Sequence, residues 1–158
     1  MTDKSYWFIS VCFFFSIFAS GAMAEHNGPV HDQSARTCAV CHQQIYDQWR
    51  GSMHANSTAL RDPIHEAMYR KVMGDPRQEG VNKKGKYPVC LNCHAPLVAM
   101  DKVTKLDARP EYEEGVTCVV CHTMENFKGI DGEGGKMRYG IAAYEFSDRL
   151  QGPSGRNL

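Results

Sequence analysis

Six of the seven cysteines stand in three pairs of identical spacing, and a histidine follows each pair directly. The three segments are Cys38-Ala-Val-Cys41-His42, Cys90-Leu-Asn-Cys93-His94 and Cys118-Val-Val-Cys121-His122. Two thiols at this spacing can add to the two vinyl groups of one porphyrin, while the adjoining imidazole reaches the iron. The pattern therefore predicts three covalently attached haem c groups. The attaching residues would be Cys38, Cys41, Cys90, Cys93, Cys118 and Cys121, and the proximal iron ligands His42, His94 and His122.

Three other uses of paired cysteines explain less of this pattern. Two Cys-x-x-Cys pairs could bind zinc through four thiolates, but zinc leaves the third pair unused and requires no histidine after every pair. A thioredoxin-like redox site needs one pair beside a strand–helix–strand unit, and three copies in so short a chain have no such scaffold. Structural disulfides account for the even number of cysteines but not for the histidines. Haem c is the interpretation that uses every residue of the motif.

The first 24 residues have the organisation of a signal peptide. An apolar run of 13 residues, Trp7–Ala19, leads into the small-x-small segment Ala22-Met23-Ala24. The run is shorter than the roughly 20 residues that span a bilayer, which favours cleavage before Glu25 over a membrane anchor. We therefore expect residues 1–24 to be removed together with the seventh cysteine. Residues 25–158 would then form one exported domain without a membrane span.

The charges of the chain balance, with 18 Lys and Arg against 18 Asp and Glu. The chain therefore lacks the excess of positive charge that is typical of proteins that bind nucleic acid or an anionic membrane. The composition, 42% hydrophobic and 23% charged, is that of an ordinary folded domain. We therefore expect no nucleic-acid partner.

Outside the motifs the sequence predicts helices and loops with little sign of strands. After His42, the residues Ile45, Tyr46 and Trp49 recur at helical spacing, which predicts a helix that continues out of the first motif and loosens at Gly51. Because the mature chain would enclose three large apolar macrocycles, much of its hydrophobic core would be haem. The expected fold class is mostly α, with helices and loops wrapped around three haems and little or no sheet.

A second helix is predicted after Asp62, which is suited to be its N-cap, with Pro63 at the first helical position. Its apolar residues Ile64, Met68 and Val72 would form a buried stripe. The glycine-rich run 129–135 is expected to be an exposed loop, since it lacks the order of glycines that cradles a phosphate.

Four histidines lie outside the motifs, and all precede the second motif: His26, His31, His54 and His65. If residues 42–54 form one helix, His42 and His54 are about 18 Å apart, too far for two ligands of one iron. His54 is therefore predicted to be the distal ligand of a different haem. His65 is a weaker candidate, since it is equally well explained as an ordinary surface residue. His26 and His31 are weaker still, because they fall in a loose N-terminal segment. Because no histidine follows His122, at least one iron is expected to lack a strong sixth ligand.

The extended first motif, C-x-x-C-H-x3-Y-x2-W-x2-S-x-H-A from Cys38 to Ala55, resembles the multihaem cytochromes of the cytochrome c-554 type. The segments Cys90–Pro96 and Gly115–His122 are similar to internal haem sites of that family, so the resemblance covers residues 36–124. It implies a mostly helical fold, closely packed haems, electron transfer in the periplasm and iron ligation by His54. Members usually carry at least a fourth motif, so the chain is expected to be incomplete at its C-terminus.

The expected function is that of a periplasmic electron-transfer protein that works with unidentified redox partner proteins and has no catalytic residues of its own. The alternative is a haem enzyme in which one open iron acts on a small nitrogen or sulfur compound. Multihaem nitrite reductases typically hold their active haem through Cys-x-x-Cys-Lys, which does not occur in this sequence. The electron carrier is therefore the favoured interpretation.

Overall fold

The computed structural model describes residues 29–80 and 86–152. The predicted signal peptide and His26 lie outside these residues. Within them the helices are α1 (Ala35–Arg50), α2 (Pro63–Val72), α3 (Leu91–His94), α4 (Pro96–Met100) and α5 (Cys118–His122). Short 3₁₀ turns occupy Val30–Asp32, Pro110–Glu114, Glu133–Gly135 and Gly140–Ala143. Strands β1 (Met124–Phe127) and β2 (Tyr144–Phe146) form one antiparallel pair. The expectation of a mostly helical fold with little sheet is confirmed.

Helix α1 begins seven residues before the histidine of the first motif. Ser34 is its N-cap and accepts a hydrogen bond from the backbone N–H of Arg36, while Gly51 follows its last turn. The predicted helix after His42 is confirmed, including its end before Gly51. His42 itself has non-helical angles (φ −120°, ψ 43°), and residues 51–56 form turns. The estimate of 18 Å between His42 and His54 therefore fails, because no single helix joins them.

Helix α2 starts as the sequence predicts, since the Asp62 carboxylate accepts hydrogen bonds from the N–H groups of Ile64 and His65 at 2.9 and 3.2 Å. The predicted buried stripe is wrong. Its members Ile64, Met68 and Val72 are 78%, 59% and 50% exposed. The buried positions are His65 and Tyr69, one residue further along, at 6% and 1%.

Helix α2 therefore has two faces with i, i+4 spacing that could be buried, one apolar and one partly polar. The partly polar face, with His65 and Tyr69, is the one that lies in the core. His65 can be buried because its ring nitrogen reaches the carbonyl of Ser57, and Tyr69 because its hydroxyl donates to the carbonyl of Thr104.

The side-chain core lies between the second and third motifs. Its largest fully buried side chains are Tyr69, Leu91, Val98, Leu106, Val119 and Val120. Helix α1 lies at the edge of this core, since Ala35 is its one buried residue. The run 129–135 is largely exposed, as expected. Among the described residues, no helix is both long and apolar enough to cross a membrane.

Replacement of Asp62 by Ala should remove the N-cap of α2 and lower the free energy of unfolding by about 1 kcal/mol. Asp62→Asn is the control, because asparagine caps a helix equally well. Thermal or denaturant unfolding of the two variants measures the difference, and equal loss in both would contradict a capping role.

Candidate haem-binding sites

Each of the three motifs lies on a helical turn. The first lies within α1, the second on α3 with Cys90 as its N-cap, and the third forms α5. A helical turn brings residues i, i+3 and i+4 to one face, so each motif directs two thiols and an imidazole to the same side. All six cysteines are free thiols, and the second of each pair is exposed. This is the donor set that attachment of one porphyrin per motif requires.

Two of the predicted proximal ligands have the hydrogen bond that orients an iron-binding imidazole. Nδ1 of His94 lies 3.0 Å from the carbonyl oxygen of Ser57, and Nδ1 of His122 lies 2.9 Å from that of Gln151. Because a carbonyl can only accept, Nδ1 carries the proton and Nε2 keeps its lone pair for a metal. His42 is exposed at the kink of α1 and has no such partner in the described chain.

The first and third motifs are neighbours through their leading cysteines. The two thiols are close enough to influence each other, so that Cys118 lowers the pKa of Cys38 and Cys38 raises the pKa of Cys118. Helices α1 and α5 pack together at this point. Two attachment points that lie 80 residues apart in sequence (118 minus 38) are therefore neighbours in space.

His65 lies against the proximal histidine of the second motif. Its Nδ1 is 2.9 Å from the same Ser57 oxygen that His94 contacts, and the two ring centroids are 4.1 Å apart. The ring is buried, its Nε2 has no hydrogen-bond partner in the described chain, and burial lowers the pKa of His65. Of the two alternatives that the sequence left open for His65, the surface residue is excluded, and ligation of an iron stays a prediction.

This arrangement restricts the iron that His65 could bind. Two imidazoles on opposite sides of one metal, each bonded at about 2 Å, have centroids about 6 Å apart and face each other through their metal-binding nitrogens. His65 and His94 are closer than that, and both turn Nδ1 towards one oxygen. His65 is therefore excluded as the sixth ligand of the iron that His94 would hold, and its predicted role is confined to another haem.

His54 connects the first motif to the third through its backbone. Its carbonyl accepts a hydrogen bond from the N–H of Val116 at 2.9 Å, two residues before Cys118, while its side chain is exposed. Gly115 makes this approach feasible, because it has φ +70° and a Cβ there would lie 2.2 Å from the His54 oxygen. The indole N–H of Trp49 donates to the carbonyl of Val116 at 2.8 Å. The Trp of the extended motif thus joins α1 to the third motif.

Sequence reasoning missed Ser57 and Gly140. The single proton of the Ser57 hydroxyl is shared between the carbonyl oxygens of His54 and His94, which lie 3.0 and 2.8 Å away. Gly140 has φ +53°, and a Cβ there would lie 2.2 Å from the Asn92 oxygen and 2.7 Å from the Cys93 sulfur. No local pattern marks either residue, because both act through contacts with distant segments.

Two adjoining cavities of about 560 and 290 Å³ share Arg36, Arg61 and Glu114 and include no residue of the three motifs. In the described part of the chain, no three His, Cys, Asp or Glu side chains converge as a multidentate metal site would require. The thiol pairs and the oriented imidazoles fit haem c, which takes axial ligands singly from each side of the iron.

Three attachment motifs on helical turns, within a mostly helical fold, define a multihaem c-type cytochrome. Residues 37–123, more than half of the chain, match the family model described as cytochrome c554 and c-prime, and the chain belongs to this family. Among solved structures, a penta-haem cytochrome c552 from Thermochromatium tepidum is 58% identical with a TM-score of 0.76. The match covers 80% of this chain but 33% of that one, so the chain spans about a third of this relative. No curated protein matches significantly. The predicted resemblance is confirmed.

Gly140→Ala should disturb the second motif, because the added methyl group collides with Asn92 and with the Cys93 sulfur. Gly134→Ala is the matched control, since Gly134 also has positive φ (+65°) but nothing lies within 4 Å. We expect Gly140→Ala to lower the stability by about 2 kcal/mol more than the control, a typical cost of overpacking, and to lower the haem content. Unfolding curves and the ratio of haem to protein measure both effects. Equal behaviour of the two variants would rule out the close approach at Cys93.

Proposed function

We propose that this protein is a periplasmic electron carrier that attaches three haem c groups and exchanges electrons with redox partner proteins. The observation that carries the proposal is the packing of α1 on α5, which brings Cys38 and Cys118 close together. Each thiol would be bonded to the vinyl-bearing edge of its own porphyrin. Two cofactor edges are then held side by side, as rapid exchange of electrons between them requires. Haem c supplies reversible one-electron chemistry when bound.

The second motif is connected to this pair by polypeptide rather than by a thiol contact. The carbonyl of Ser57 orients His94, and the Ser57 hydroxyl bonds to the carbonyl of His54, which in turn bonds to Val116. The chain therefore holds three attachment sites in fixed relation to one another. A carrier needs this fixed spacing, whereas it needs no substrate pocket at an iron.

The proposed location rests on the sequence of residues 1–24, which has the apolar run and cleavage segment of a signal peptide. An exported chain reaches the compartment in which free thiol pairs would otherwise oxidise, so attachment of haem also protects the six cysteines. The sequence has no net charge, so it provides no long-range electrostatic attraction for a partner. The proposed redox partners are therefore recognised through contacts with a local part of the surface.

The mature protein should contain three covalent haems. Intact mass should equal residues 25–158 plus three haem groups, and a pyridine haemochrome assay should give three haems per chain. A Cys118→Ala, Cys121→Ala double variant should lose one of the three. Bound zinc, or a mass without covalent haem, would overturn the proposal.

His54→Ala tests the predicted distal ligand. If His54 binds iron, one low-spin haem should become high-spin in electron paramagnetic resonance, because a strong sixth ligand is lost. The backbone carbonyl that bonds to Val116 is retained in this variant, so the fold should survive. His26→Ala is the control and should leave the spectrum unchanged. Identical spectra for both variants would reject His54 as a ligand.

A further inference from the structure

The 3₁₀ turn Val30–Asp32 carries a histidine that the sequence places in a loose N-terminal segment. In the structure His31 is half-buried, and its ring meets the ring of Phe146 edge-on, with centroids 6.4 Å apart. The turn packs against α5, the helix of the third motif. Residues 30–32 are therefore part of the folded domain, next to an attachment site.

The turn is also fixed by charge. The guanidinium of Arg109 donates to the Asp32 carboxylate at 2.5 Å and to Glu111 at 2.5 Å, and it lies 4.7 Å above the ring of Tyr112. These contacts join the residue next to His31 to the segment that leads into the third motif. The position of the His31 ring is therefore set by the fold.

One ring nitrogen of His31 is left without a partner. Nδ1 is buried and makes no hydrogen bond with the described part of the chain. A buried polar atom without a partner costs free energy, which a bond to a metal would offset, and neutral imidazole binds iron through either nitrogen. The Nε2 atom of His65 is likewise a buried ring nitrogen without a hydrogen-bond partner in the described chain.

We propose that His31 is the distal ligand, through Nδ1, of one of the two haems attached at the first and third motifs. The turn that carries it packs on α5, and α5 packs on α1, so these two motifs lie nearest to it. The inference rests on the proposed function, because it takes the three attached haems as given.

The number of histidines agrees with this assignment. Three haems with two axial positions each need six ligands. The three motif histidines and the three other histidines in the described chain, His31, His54 and His65, supply six. The expectation of an open iron rested on the absence of a histidine after His122, and under this assignment a histidine from the N-terminal side supplies the ligand instead.

The test compares the wild-type holoprotein with His31→Gly and His31→Met. Intact mass is measured first, so that absence of three haems, which would refute the proposed function, is distinguished from a failure of the ligand assignment. In His31→Gly we expect one of three haems to become high-spin in electron paramagnetic resonance and to bind carbon monoxide. Added imidazole should restore the low-spin signal by binding the iron that His31 leaves open.

His31→Met keeps the inference testable if the glycine variant does not fold, because methionine is an alternative iron ligand that raises the reduction potential. One haem should remain low-spin with a higher midpoint. Phe146→Leu is the control, since it removes the ring contact but keeps the imidazole, and it should leave all haems low-spin. Three low-spin haems in His31→Gly without imidazole, or a wild-type protein in which one haem already binds carbon monoxide, would overturn the assignment.

Discussion

The carbonyl oxygen of Ser57 accepts hydrogen bonds from two imidazoles that come from different parts of the chain, His65 on α2 and His94 on the second motif. A carbonyl oxygen has two lone pairs, so one backbone atom can serve both rings. The bond to His94 selects the tautomer that leaves Nε2 available, and the bond to His65 allows α2 to bury a polar side chain beside it. Because Ser57 follows the turn that ends α1, the first motif determines where the histidine of the second motif lies.

The same short segment also positions the third motif. The carbonyl of His54 holds the N–H of Val116, and Trp49 of α1 bonds to the carbonyl of that residue. Each hydrogen bond contributes only about 0.5–1.5 kcal/mol. Together with the packing of α1 on α5, they fix the position and orientation of one helix relative to the other, which a single contact could not do. The position of the first motif relative to the other two thus depends on polar and backbone contacts rather than on a continuous apolar interface.

The sequence was sufficient where the signal is local. The three motifs, the Asp62 cap and the exposed glycine run each depend on residues within one turn or loop, and each local element is found where it was predicted. Prediction from the sequence failed on α2, where two sets of residues have the same helical spacing and either could be the buried face. Ile64, Met68 and Val72 repeat at the same spacing as His65 and Tyr69, and hydrophobicity alone selects the wrong set. The choice is made by carbonyl groups of Ser57 and Thr104, which lie outside the helix.

The distribution of apolar side chains explains why the first motif differs from the other two. Leu91 of the second motif and Val119 and Val120 of the third are buried in the side-chain core. In α1, Val40 and Ile45 flank the kink at His42 and are 73% and 62% exposed. Burial of apolar surface stabilises a helix by about 25 cal/mol per Å². Helices α3 and α5 gain this stabilisation by packing on other parts of the chain, whereas α1 does not. Helix α1 is instead attached by polar contacts at its two ends: Ser34 and Ala35 with Glu114, and Trp49 with Val116. The middle of α1 would therefore pack against an apolar cofactor bonded to Cys38 and Cys41. For this reason, attachment of haem at the first motif and the ordering of α1 are coupled.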